Sequence, residues 1–165
     1  MDARERGFTL VETVAASAVL TIGTLGLLAT VAGTIQMDAE SADSVVAIRA
    51  AQAKLDDIWS MATRDFEQVY PTYAGTTFAV DRLIATAGRP AVGEVILYRN
   101  EATAKAALEL SNDLDIDRNG VASENVEKDP AKLKLLPVRI RLEWRTPFGK
   151  RRHDLETIIY NREVP

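Results

Sequence analysis

Cysteine is absent from the 165 residues, which excludes disulfide staples, thiolate zinc centres, iron–sulfur ligation and cysteine nucleophiles. Histidine occurs once, at His153, too few for a histidine-rich metal site or a catalytic triad. Proline is missing from residues 8–70, so nothing there interrupts a helix. Basic residues are outnumbered, 20 Lys and Arg against 24 Asp and Glu, and the formal charge is −4. A polyanion-coating protein of the strongly basic kind is excluded, and nucleic acid is not an expected partner. Neither GxxxxGK, GxSxG nor HExxH occurs, and the neighbouring carboxylates Asp56 and Asp57 point to different sides of a helix. No grouping of residues suits an enzyme. The length suits one ordinary domain.

Charge is also scarce locally. The 28 residues from Phe8 to Ile35 contain a single ionisable group, Glu12. At about 1.5 Å per residue a helix of that length runs roughly 42 Å, more than the roughly 30 Å of hydrocarbon in a bilayer. Arg4 and Arg6 precede it, whereas no cation follows before Arg49. Positive flanks stay in the cytoplasm, which predicts a single-pass membrane protein with its N-terminus inside and everything past about Ile35 outside. A secretory signal has an apolar core of only about 7–15 residues, so this run is too long for one. A plain anchor fits the length but leaves Glu12 unexplained, because an intramembrane carboxylate is costly and usually has a partner. Ala29 and Gly33 stand at the small-xxx-small spacing that lets helices approach closely in lipid.

The run Arg6-Gly7-Phe8-Thr9-Leu10-Val11-Glu12, with a short polar leader before it and an apolar stretch after it, resembles the class III signal of type IV prepilins and type II secretion pseudopilins. The resemblance covers about the first thirty residues closely and the rest in outline. It implies cleavage between Gly7 and Phe8 by a membrane-embedded prepilin peptidase, N-methylation of Phe8, and assembly with other pilin-like subunits through an inner-membrane platform. It also implies an α+β fold, the pilin ladle, in which one long N-terminal helix packs on a small antiparallel sheet. Within that frame Glu12 has a physical role: after cleavage the amino group of Phe8 is a cation, and Glu12 of a neighbouring subunit can pair with it.

The expected organisation is a leader over 1–7, a membrane and assembly helix over 8–35, an amphipathic stalk helix over 36–66 and a periplasmic β-rich head over 67–165. Val45, Ile48, Ala51, Leu55, Ile58 and Ala62 recur at steps of three and four, which predicts one continuous helix to about Arg64 with a buried outer stripe. Trp59 and Met61 are read as core contacts. Tyr70 to Gly75 is predicted as a turn. Strands are expected where Phe78, Val80, Arg82 and Ile84 alternate, over Val95 to Arg99, over Val138 to Arg145, and over Leu155 to Tyr160 after a turn at Thr146–Gly149. The terminal hairpin is similar to those of minor pilins and I-type pseudopilins. A minor, non-catalytic subunit of a pilus or pseudopilus is therefore the expected function.

Two stretches carry alternatives. Asp115, Asp117, Asn119 and the Val121 carbonyl follow the opening half of a calcium loop, hard oxygen ligands at alternate positions before a turn glycine. The position of the closing glutamate is Val126, so the pattern lapses there. A membrane-tethered head that binds calcium or a small ligand without polymerising is the first alternative; otherwise no cofactor is required. Residues 136–165 carry seven cations and four anions. Arg139, Arg141 and Arg145 share a strand face and Lys150-Arg151-Arg152 follow the turn, as edge-strand protection, as a subunit contact or, in a DNA-uptake pilin, as a phosphate contact.

Overall fold

A computed structural model describes residues 9–122, 126, 132–147 and 149–161. Helix α1 (Leu10–Arg64) is followed by α2 (Val69–Tyr73), β1 (Thr77–Phe78), β2 (Ile84–Ala85), β3 (Gly93–Leu97), α3 (Glu101–Ala107), β4 (Leu135–Thr146) and β5 (Gly149–Tyr160). Two compact units divide the chain, Met1–Ala42 and Asp43–Pro165.

In the second unit an antiparallel sheet forms around β4. Strand β5 pairs along its whole length on one side, and β3 and β2 pair in tandem on the other, with β1 outside β3. The alternation of β4 explains its place: Leu136, Val138, Ile140, Leu142 and Trp144 are all buried, and they join Ala47, Ala51, Ile58 and Ala62 of α1 in one core. The expected α+β, pilin-like arrangement is what the chain adopts: α1 packs on the sheet through its residues beyond Asp43. Trp59 and Met61 border this core, and Trp59 meets the Tyr160 ring edge-on at 5.5 Å.

The buried stripe of α1 differs from expectation at its start. Ala47 is buried while Val45 and Ile48 are exposed. Counting back from Ile58 in steps of 3.6 residues leads through Leu55 and Ala51 to position 47, whereas the alternating three-and-four count drifts to 48. Two further departures lie in the head. Phe78 to Ile84 is not one strand, because the chain turns between β1 and β2 with Arg82 at φ 70°, and Val80 and Leu83 enter the core from that turn. The stretch read as a plain turn from Tyr70 begins as the short helix α2. Gly93, which stands opposite Phe78, lies directly under that ring: a Cβ there would come within 2.3 Å of Phe78 Cζ.

The strand that carries Arg139, Arg141 and Arg145 is central, so these cations do not protect an edge. Arg139 Nη2 lies 2.6 Å from Glu156 Oε1, and Arg141 Nε lies 3.6 Å from Asp154 Oδ1. Arg139 also donates to the Ala107 carbonyl, and Arg152 pairs with Asp154. Paired with acids in this way, Arg139 and Arg141 do not form a free phosphate-binding stripe.

Burial pushes the Asp154 carboxyl up, but the Arg152 hydrogen bond and the charges of Arg152, Arg141 and Arg139 outweigh it and hold it below the ordinary carboxylate range. A depressed folded value adds stability above the unfolded pKa of about 3.9, and that stability is lost as pH falls through the folded value. The melting temperature of Asp154→Asn is therefore expected below that of the parent at neutral pH, with the gap closing under acid conditions below about pH 4. Circular dichroism melts across that range check it; a gap independent of pH contradicts the ion-pair account.

Candidate functional site

Helix α1 begins at Leu10, which makes Thr9 its N-cap and Glu12 the third helical residue. Glu12 Oε2 accepts from the Thr9 amide and from the Thr9 hydroxyl, each at 2.9 Å, while the Thr9 hydroxyl oxygen accepts from the Glu12 amide at 3.3 Å. This reciprocal arrangement is a capping box, which satisfies backbone donors that the first turn leaves without intrahelical partners. Threonine followed three residues later by glutamate signals it in the sequence. Both carboxylate contacts fall on Oε2, so Oε1 remains for a partner outside the helix. Gly7 and Phe8, the expected cleavage and methylation positions, lie outside the described residues.

Beyond the cap, apolar side chains project all round the helix: Leu10, Val14, Leu20, Leu25, Leu28 and Ile35 are among the large ones exposed. A helix apolar on every side belongs in lipid or among other helices. The polar groups conform. The hydroxyls of Thr13, Ser17, Thr21, Thr24, Thr30 and Thr34 each donate to the carbonyl four residues back, which leaves no bare donor to desolvate. Gly23, Gly26 and Gly33 meet nothing within 4 Å of an added Cβ, so their surfaces are open to a neighbouring helix. The helix is long and apolar enough to cross a membrane.

Residues 2–28 match the family model of the prokaryotic N-terminal methylation motif. The chain carries the signature of type IV prepilin-like proteins. No curated protein and no solved structure matches it. The motif covers Gly7, Phe8, the Thr9–Glu12 cap and the apolar run as far as Leu28, and it implies processing by a prepilin peptidase and assembly with other pilin subunits. Proteins with this signature are structural rather than catalytic.

The head holds a second cluster. Asp115 accepts from the amides of Asn119 at 3.1 Å and Gly120 at 2.8 Å. Asp117 accepts from the Asn119 side chain at 3.1 Å, and Asn119 Oδ1 accepts from the Val121 amide at 2.6 Å. Burial pushes the Asp115 carboxyl up, but hydrogen bonds within the loop, led by those from the Gly120 and Asn119 amides, outweigh it and hold it low. The loop thus turns on its own hydrogen bonds. Glu101, at 1% exposure, reaches the same place: its Oε1 accepts from the Ile116 amide at 2.6 Å, and ligand oxygens of Glu101, Asp115 and Asp117 lie within 4.8 Å of one another. Sequence reasoning missed Glu101. It sits fourteen residues before Asp115 on α3, a helix capped by Asn100, and no local spacing links the two.

Proposed function

We propose that this chain is a non-catalytic minor subunit of a type IV pilus or type II secretion pseudopilus. It is cut after Gly7, methylated on Phe8 and packed into the filament through its N-terminal helix. The observation that carries this reading is the methylation motif continuing into a capped helix whose apolar side chains are exposed on every face. Such a helix is stable in the inner membrane before assembly and needs other helices around it afterwards. Glu12 registers the subunit: Oε1 meets the freed Phe8 amine of an adjacent, axially staggered copy or relative. The terminal hairpin of β4 and β5 supports the minor rather than the major class. Immunodetection in sheared filament fractions tests the assignment: a small, peptidase-dependent amount is expected there. Retention of the whole population in the membrane would instead support a tethered monomer.

A second reading, that the head holds calcium, is supported by the convergence of Glu101, Asp115 and Asp117. Three carboxylates so close repel one another, and a hard cation with additional oxygens from Asn119 and the Val121 carbonyl relieves that repulsion. Millimolar calcium is expected to raise the melting temperature by a few degrees, and Asp117→Asn to abolish the rise. An unchanged melting temperature in the parent chain rejects this reading.

A further inference from the structure

On the sheet face away from the helix, β4 and β5 align four charged rungs: Arg139 opposite Glu156, Arg141 opposite Asp154, Glu143 opposite Arg152, and Arg145 opposite Lys150. Three join opposite charges. The fourth sets two cations against each other, an arrangement that destabilises a strand pair. Neither Arg145 nor Lys150 has an ion pair among the described residues. The nearest acid on the strand, Glu143, is engaged elsewhere, since it accepts from Thr86 at 2.8 Å and lies 3.3 Å from Arg89. Both cations line a cavity of about 310 Å³, together with Thr86, Thr146 and Gly149.

We propose that the Arg145–Lys150 rung is a binding site for a small oxyanion, the carboxylate or phosphate group of a ligand. A pattern kept at three rungs and broken at the one beside a cavity marks where stability gives way to binding. The arginine fork fits two oxygens of one group, and the lysine adds a point charge from across the ladder. The hydroxyl protons are committed, Thr86 to Glu143 and Thr146 to the Gly149 carbonyl, so recognition rests on the two cations. The cavity lies at the small end of ligand pockets, which span about 300–1,000 Å³. Acidic neighbours on the same face, Glu143, Asp154 and Glu156, disfavour an extended polyanion. This site does not depend on membership of a filament.

The test uses the full chain, isotope-labelled in uncharged micelles, titrated separately with citrate and inorganic phosphate at constant ionic strength. Saturable amide shifts are expected around Thr86, Thr146, Gly149 and Lys150, with affinity at least tenfold weaker in Lys150→Glu. Saturation by citrate alone identifies a carboxylate site, by phosphate alone a phosphate site, and either supports the proposal. Without ligand, Lys150→Glu completes the fourth rung and is expected to raise the melting temperature by about 1–3 °C. The proposal is overturned by the absence of saturable shifts with both probes, by equal affinity in Lys150→Glu, or by a lower melting temperature in that variant.

Discussion

Glu12→Gln is expected to leave the chain in the membrane and to remove it from filaments, and Glu12→Val to do the same. The glutamine variant carries the weight because it separates two roles of one side chain. Glutamine serves at the third position of a capping box as glutamate does, so it keeps the contacts to Thr9 while losing the charge. A carboxylate and an amine at about 4 Å attract by about 4 kcal/mol at an effective dielectric near 20, enough for a loss of a hundredfold or more in incorporation. Loss of the cap in Glu12→Val costs about 1 kcal/mol and frays one turn. Quantitative blotting of membrane and sheared fractions distinguishes them. If Glu12→Gln assembles normally while Glu12→Val fails, Glu12 is a cap and nothing more.

Trp144→Ala is expected to unfold the head, whereas Trp144→Phe is tolerated. Trp144 is 2% exposed on the central strand, between Ala85 of β2 and Arg151 of β5 in register. Truncating so large a buried ring costs about 3–5 kcal/mol, a large part of the 5–15 kcal/mol that holds a domain together. Its indole Nε1, however, is buried without a hydrogen-bond partner among the described residues. Phenylalanine keeps most of the packing and removes a donor that nothing satisfies, so its cost stays below about 1.5 kcal/mol. Denaturant titrations of both variants measure this. Equal losses would mean that the indole nitrogen, rather than the ring volume, is what the core requires.

The features legible from sequence were those written in local pattern. Glu12 stood out because its surroundings are apolar, and β4 because Val138 to Arg145 alternates without interruption. The phase of the stalk helix was harder, since Val45 and Ile48 outrank Ala47 in hydrophobicity and the close approach of the sheet, which favours alanine, is a tertiary fact. The turn at Asp81-Arg82 hid inside an alternation that continued across it, with Arg82 adopting positive φ in place of the usual glycine. Glu101 and the partners of Arg139 and Arg141 depend on register and on distant elements. A count of charges sees a basic strand where the fold makes a ladder of ion pairs.

The proposed function turns on one event at the start of the chain, proteolytic maturation before assembly, which the methylation motif implies. Intact-mass and N-terminal peptide spectrometry of the membrane-extracted chain, from cells with active prepilin peptidase, reads that event directly. The account predicts a species beginning at Phe8 and carrying one methyl group on its terminal amine. A population that retains Met1 through Gly7 would contradict it.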